Sequence, residues 1–336
     1  MQSCNSNLVS TIKLNSSMKS KILLQLATIS IVGVVQAQSL RFTSGEIFNT
    51  NQVSLWVSGP SVTNLNYVLE RLDLTNQTWQ TVSTYTINSG GPTNLTSSLF
   101  NGTYGFFRTR STNNAYLSTN AFGAIVGSVG PGLSLLGNPF GATTITNIFP
   151  NPAEGSSVEK WNNSTTNYVV SNFSFGTWDT NLTIGEVEGF FIDNGGTNAM
   201  TYQFSGLFTT NTVTKSIPTG FSIITSPSYY LITPPSLWND TLTNNVLGGK
   251  FSIPVQTPGY SPQSEVDKWI AATNGYAKYY LTNLVTTNFV GTNSWPQTNL
   301  VWTLNGTNTY VPLYLGEGFF VNKPTNATWS FNRPIW

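Results

Sequence analysis

The sequence predicts an all-β protein: a small N-terminal β-sandwich followed by two divergent β-sandwich or barrel-like repeat domains. Three observations carry that expectation. Apolar and polar residues alternate with period 2, and no window longer than about ten residues holds a 3.6-residue period. Asn, Gly, Ser and Pro clusters punctuate the alternating stretches at short, regular intervals. Four sequence blocks also recur in the same order in the second half of the chain, which is the mark of an internal repeat.

The first 37 residues are expected to stand outside the fold. Met18-Lys19-Ser20-Lys21 is a short basic start, Ile22 to Val35 is mostly apolar, and Val35-Gln36-Ala37 is a small-residue site before Gln38. That order is the signal peptide of an exported protein, with Met18 as the expected start and cleavage expected after Ala37. The apolar run of 14 residues falls short of the roughly 20 needed to span a bilayer. Lys13, Lys19, Lys21 and the single cysteine, Cys4, then leave with the precursor. The mature chain keeps 11 basic and 13 acidic residues, so its formal charge moves from +1 to −2. It has no disulfide, yet a chain of about 300 residues can bury most of its apolar surface without one.

Residues 39–126 read as the sandwich. Strands are expected at Val53 to Ser58, Tyr67 to Leu72, Thr78 to Thr86 and Gly102 to Arg110, spaced as in small antiparallel sandwiches. The glycines from Gly123 to Gly132, together with Pro131, mark the expected boundary.

The repeat follows. Gly132-Leu133-Ser134-Leu135-Leu136 matches Gly220-Phe221-Ser222-Ile223-Ile224, 88 residues apart. Val158-Glu159-Lys160-Trp161 matches Val266-Asp267-Lys268-Trp269 at 108, and Glu188-Gly189-Phe190-Phe191-Ile192 matches Glu317-Gly318-Phe319-Phe320-Val321 at 129. Thr201-Tyr202-Gln203-Phe204 matches Thr328-Trp329-Ser330-Phe331 at 127. Copy 1 is therefore placed at 132–209 and copy 2 at 217–336. The growing offset puts two insertions in copy 2, within 227–262 and 281–312, and their Pro, Asn and aromatic content predicts loops or short edge hairpins.

The recurring Gly-Leu-Ser-Leu-Leu-Gly-Asn-Pro, Val-Glu-Lys-Trp and Glu-Gly-Phe-Phe blocks resemble those of a group of exported β-repeat proteins found in planctomycete and verrucomicrobial lineages. The module at 39–126 is similar to the fibronectin-III-like or immunoglobulin-like modules that accompany them. The matching segments are Tyr67 to Glu70, Asp73 to Trp79 and Phe106-Phe107-Arg108. The resemblance implies export and an all-β fold, and it implies no activity. The chain departs from the group at its end, Phe331 to Trp336, which carries no hydrophobic sorting tail.

Composition narrows the chemistry. Only 8% of the 336 residues are charged, histidine is absent, and 38 Asn and 47 Thr together supply a quarter of the chain. Ser-His-Asp catalysis, Cys-His catalysis and His-ligated metals are thereby excluded. The scattered basic residues do not make a nucleic-acid surface. Forty-four aromatics, 20 Phe, 14 Tyr and 10 Trp, argue for a folded core.

Few constellations remain. Glu186 and Glu188 at i and i+2 on a strand would share a face about 6.5–7 Å apart, compatible with an inverting glycosidase pair. Copy 2 pairs Glu188 with Glu317 but Glu186 with Leu315, so the pair is not needed by both copies and no catalytic residue is assigned. Asp193-Asn194-Gly195-Gly196 reads as a turn rather than a calcium loop, and no metal or cofactor is expected. Lys160 with Glu188, and Lys268 with Glu317, are expected to meet as structural ion pairs. The aromatics of the copy 2 insertions, Tyr229, Tyr230, Trp238, Tyr260 and Trp295, are the candidate ligand-binding residues, because exposed rings stack on sugars. The expected function is that of a secreted, non-catalytic structural, adhesive or matrix-associated protein. A carbohydrate-binding protein is the alternative and a polysaccharide-acting enzyme the second alternative. Polysaccharide or other surface proteins are the expected partners, with no nucleic acid, and no membrane after signal cleavage.

Overall fold

Seven strands in the first part of the chain follow its alternating pattern: β1 (Arg41–Asn49), β2 (Gln52–Ser58), β3 (Tyr67–Asp73), β4 (Thr78–Tyr85), β5 (Thr93–Ser98), β6 (Tyr104–Ser111) and β7 (Asn120–Val129). The computed structural model describes residues 39–49, 51–60, 65–73, 78–87, 91–209, 213–225, 265–290, 293–305, 307–309, 316–323 and 326–331. Val53, Leu55 and Val57 point every second residue of β2 into a core with Leu40, Phe42, Tyr67, Leu69, Phe107 and Phe122. Each such side chain contributes roughly 1.5–3 kcal/mol on burial.

The motif segments of this module converge. Glu70, only 3% exposed, accepts hydrogen bonds from Arg108 Nε at 2.7 Å and Arg110 Nε at 2.8 Å. The Arg108 guanidinium also lies 4.3 Å from the centre of the Trp79 ring, a cation–π arrangement.

The second part adds β8 (Gly132–Asn138), β9 (Thr143–Thr144), the one-turn helix α1 (Ile145–Ile148), β10 (Ser157–Asn162), β11 (Asn167–Ser174), β12 (Thr177–Trp178), β13 (Thr183–Ile184), β14 (Glu188–Asn194) and β15 (Met200–Thr209). The third adds β16 (Val213–Ile217), β17 (Gly220–Thr225), β18 (Glu265–Ile270), β19 (Gly275–Val290), β20 (Asn293–Leu304), β21 (Thr307–Thr309), β22 (Gly318–Lys323) and β23 (Ala327–Phe331). All pairings are antiparallel. A three-stranded sheet runs β1-β2-β5 and a five-stranded one β15-β7-β6-β3-β4. The largest runs β12-β11-β10-β14-β17-β22-β18-β19-β20-β21, with β8 also on β14.

The glycine-rich stretch read as a boundary is largely strand β7. A Cβ on Gly123 would lie 2.2 Å from Phe140 Cε1, and one on Gly127 would lie 2.5 Å from Tyr202 Cζ. These glycines make room for aromatic rings lying on the strand, which composition alone does not distinguish from a flexible linker. β7 then pairs with β15 over ten residues, from Asn120 opposite Thr209 to Val129 opposite Met200. The strand that closes the 132–209 segment is thus laid onto the sheet of the N-terminal module. The two faces of β7 bury different neighbours. Phe122 and Ala124 face the first core. Ala121, Ile125 and Val129 join Leu136, Val158, Phe190, Ile192 and Phe204 in a second. A strand covered on both faces reads as a near-continuous apolar run, as this one does.

One set of registers occurs twice. Gly132 to Gly137 on β8 stand opposite Asn194 to Gly189 on β14, and Gly220 to Thr225 on β17 stand opposite Lys323 to Gly318 on β22. Val158 faces Ile192 and Ser171, while Val266 faces Val321 and Tyr279. Met200 faces Val129, and Ala327 faces Ile217. Backbone conformation follows: Gly132 and Gly220 have φ of 84° and 89°, and Val187 and Gly316, each just before the shared Glu, have 58° and 78°.

The insertion at 227–262 lies outside the described residues. Much of the one at 281–312 is a long hairpin, β19 with β20, paired from Tyr279–Leu304 to Val290–Asn293. It extends the edge of the large sheet and is longer than the loop or short hairpin expected. Its Thr and Val residues suit a strand, a preference masked in the sequence by the surrounding Asn and Pro.

Candidate functional site

The site begins with the shared Lys and Glu. Lys160 Nζ stands 3.0 Å from Glu188 Oε2, and Lys268 Nζ stands 3.1 Å from Glu317 Oε2. Both are further tied to backbone. Lys160 donates to the Thr183 carbonyl at 2.7 Å, Glu188 accepts the Gly185 N–H at 2.6 Å, and the Glu317 carbonyl accepts from Thr225 Oγ1 at 2.7 Å. Lys268 is the more enclosed lysine, with 8% of its side chain exposed. Burial pulls its pKa below the ordinary lysine value, and Glu317 partly restores it. Glu186 lies outside β14, and Val187 between the two acids has φ 58°. The extended spacing assumed for Glu186 and Glu188 therefore does not apply.

On the opposite face of the large sheet, strand alternation brings aromatic side chains together. Trp161 on β10 stands opposite Tyr168 on β11, and Trp269 on β18 stands opposite Tyr276 on β19. Their ring centres are 5.1 and 5.0 Å apart, edge to face. Trp161 Nε1 donates to the Phe221 carbonyl and Trp269 Nε1 donates to the Leu133 carbonyl, each at 3.0 Å. Leu135, Phe191, Ile223 and Phe320 fill the space between them. Two bridges join the strands there: Glu188 with Ile224 and Leu136 with Glu317.

Beside this cluster opens a cavity of about 270 Å³. Trp161, Tyr168, Phe221, Tyr276 and Phe320 wall it, and Asp267 and Lys278 form its polar end. Tyr168, Tyr276 and Phe221 are 38%, 40% and 44% exposed, which is high for rings of this size and marks a surface feature rather than a core. Tyr276 and Phe221 each meet Phe320 edge to face, at 5.5 and 6.3 Å.

The polar end is a bridged pair of acids. Glu265 and Asp267 lie two residues apart on β18, and Lys278 on β19 reaches Glu265 Oε1 at 2.9 Å and Asp267 Oδ2 at 3.2 Å. Asp267 Oδ1 is buried and accepts no hydrogen bond. Burial, followed by the neighbouring Glu265, pushes Asp267 up to about 6. Burial is the largest influence on Glu265 and opposes its ionisation, but the hydrogen bond and charge of Lys278, with the contacts to Asp267 and Asn322, together outweigh it and hold its pKa below the usual value. The hydrogen bond that Lys278 donates to Glu265 raises the pKa of the lysine in turn. Tyr168 is lifted to about 12 by burial, with Tyr276 and Glu159 adding to it.

Sequence reasoning placed the candidate aromatics elsewhere. Tyr229, Tyr230, Trp238 and Tyr260 lie outside the described residues. Trp295 is placed by its backbone opposite Asn288. The cavity residues Tyr168, Tyr276, Asp267 and Lys278 were missed, although a signal existed: Trp161 precedes Tyr168 by the same seven residues that separate Trp269 from Tyr276. Among the described residues no cluster of three or more acidic or Cys side chains is arranged to hold a metal ion. None of their helices is long and apolar enough to cross a membrane. Comparison with protein-family models, with curated proteins and with solved structures finds no match to this chain.

Proposed function

We propose that the chain is an exported, non-catalytic adhesive or matrix-associated protein, and that it adheres by binding carbohydrate in the aromatic cavity. The cavity itself carries this reading. Flat apolar walls suit the C–H faces of a sugar ring, and Asp267 and Lys278 offer an acceptor and a donor to its hydroxyls. Ligand sites are mostly apolar with a few placed polar groups, and usually fill roughly 300–1,000 Å³. A cavity slightly below that range suits one ring rather than a long buried chain. Lys278 bridges the two carboxylates and engages one oxygen of each, which favours recognition over acid–base chemistry.

The repeated registers support a second element of the proposal: copy 1 and copy 2 derive from one unit, and the cavity is built where they meet. Trp161 and Tyr168 come from copy 1, and Phe221, Asp267, Tyr276, Lys278 and Phe320 from copy 2. Export rests on the signal-peptide pattern before Gln38.

A glycan array probed with the purified protein tests the function. Binding to a restricted set of glycans that is lost in Tyr276→Ala, with the thermal transition retained, is the expected result. Glycan binding unaffected by Tyr276→Ala and Phe221→Ala would contradict it. Sugar release that disappears in Asp267→Asn would overturn the non-catalytic part.

A further inference from the structure

We propose that the cavity selects a cationic amino sugar, whose ammonium group seats against Asp267 while its ring lies on Tyr276 and Phe320. This rests on the carbohydrate reading of the same cavity and names the ligand class.

Two carboxylates, Glu265 and Asp267, share one ammonium, Lys278, so with both acids ionised the polar end carries one uncompensated negative charge. Lys278 meets one oxygen of each acid, and Asp267 Oδ1 is left without a donor in a residue only 5% exposed. A buried acceptor left unpaired is destabilising, the more so when charged, and a ligand donor relieves that. Rotation about χ2 is soft for a carboxylate, so Asp267 can offer either oxygen to the cavity while keeping Lys278 on the other.

The class of donor follows. A neutral hydroxyl would satisfy the oxygen and leave the charge uncompensated against apolar walls. An ammonium supplies both a donor and the opposite charge, giving the stronger charge-assisted bond. The faces of tyrosine and phenylalanine rings attract cations as well. An acidic sugar would meet two carboxylates, and an N-acetylated one would bring no charge. The equivalent positions of copy 1 lack this arrangement: Val170 faces Glu159 where Lys278 faces Asp267, and Ser157 occupies the place of Glu265.

The groups around Asp267 are Glu265 on its own strand, Lys278, Tyr276 and Tyr280 on β19, and Phe320 opposite it on β22. Glu265 and Lys278 keep their charges across mild pH. Binding is therefore strongest where the Asp267 carboxylate and the ligand ammonium are both charged. It falls at lower pH as Asp267, whose pKa is raised to about 6 by burial and by Glu265, takes up its proton, and at higher pH as the sugar amine loses its own.

Titration calorimetry at pH 6.5, where carboxylate and sugar ammonium coexist, with a β-1,4-glucosamine hexamer, its fully N-acetylated form and the β-1,4-glucose hexamer tests the proposal. The glucosamine hexamer is expected to bind at least about tenfold more tightly than the other two. Asp267→Asn abolishes that preference, and Glu265→Gln reduces it; Tyr276→Ala weakens all three. Both acid variants replace an acid by its amide, and circular dichroism melts establish that they are folded. Equal affinity for the three hexamers with retained dependence on Tyr276 would overturn the amino-sugar proposal and leave the carbohydrate reading standing. Hexamer binding indifferent to Tyr276 would overturn both. Tetramethylammonium binding as tightly as the glucosamine hexamer would show a bare ammonium site, and so would also overturn the proposal.

Discussion

Trp161 and Trp269 make reciprocal hydrogen bonds: each indole donates at 3.0 Å to a carbonyl on the strand that opens the other half, Phe221 for Trp161 and Leu133 for Trp269. Leu133 and Phe221 occupy equivalent positions in the paired registers of β8 and β17. The cross-bridges Glu188 with Ile224 and Leu136 with Glu317 repeat this exchange. A shared central layer of Phe191 and Phe320, 5.7 Å apart, completes a junction in which each half supplies the same groups to the other.

The junction predicts a measurable coupling. Trp161→Phe removes an indole N–H shared between the Phe221 carbonyl and Asn163 Oδ1, and Trp269→Phe removes the bond to the Leu133 carbonyl. Both keep most of the ring, so each should cost about 1 kcal/mol in urea unfolding. Because both packing sets meet at Phe191 and Phe320, the double variant should depart from additivity by about 0.5 kcal/mol or more. Strict additivity would mean that the two halves are energetically independent.

The two lysines should differ. Lys160→Ala removes a pair with 27% and 20% of its side chains exposed, and is expected to cost about 1 kcal/mol or less. Lys268→Ala takes the partner from Glu317 at a more enclosed position, and should cost about 3 kcal/mol. Equal midpoints in chemical denaturation would contradict this ordering.

Glu70 is the anchor of the N-terminal module. Glu70→Gln leaves Arg108 and Arg110 facing a neutral amide in a buried position, with an expected loss of about 3 kcal/mol. Urea unfolding of the single variant, compared with Glu46→Gln on an exposed strand position, reads the difference.

Asp267 gives stability a pH dependence of known sign. Its folded pKa is raised from 3.8 to about 6, so the folded state binds the proton more tightly than the unfolded chain does. The stabilisation is fully present below about pH 4 and is lost as pH rises through about 6, amounting to no more than about 3 kcal/mol at 1.36 kcal/mol per pH unit. Asp267→Asn should therefore gain stability relative to the parent between pH 4 and 7. A parent-to-variant difference that stays flat across that window would contradict the burial of this carboxylate.

Gly123→Ala tests the reading of the glycine-rich strand. The added methyl would press on Phe140, and overpacking of this kind costs about 1–3 kcal/mol. A neutral effect on the thermal midpoint would show that the ring moves aside freely.

Parts of this architecture were legible in the sequence. Period-2 alternation located β2 and β4, whose pattern follows the pleat, while β3 and β6, which send side chains into both cores, were legible from their apolar and aromatic residues. The recurring blocks pointed to Lys160, Glu188, Lys268 and Glu317, since charges are scarce enough for a repeated one to stand out. The aromatic cavity was not legible. Whether Trp161 and Trp269 are core or surface depends on which face of the large sheet receives the sheet of β7 and β15, a long-range fact that strand periodicity does not carry. Gly123 and Gly127 misled for a related reason: glycine in a loop and glycine beneath an aromatic ring have the same composition. Glu186 and Glu188 were placed on one strand because nothing in their spacing revealed the left-handed turn at Val187.

The central claim is that carbohydrate binds against the aromatic wall at the junction of the two halves, and the Trp161 indole N–H reports on that wall directly. Heteronuclear NMR titration with the oligosaccharide that binds best on the glycan array is predicted to shift the Trp161 Nε1–H resonance progressively. The Trp56 indole, on the N-terminal sheet, should remain still. Saturable binding that leaves the Trp161 resonance unmoved, or moves Trp56 instead, would contradict the account.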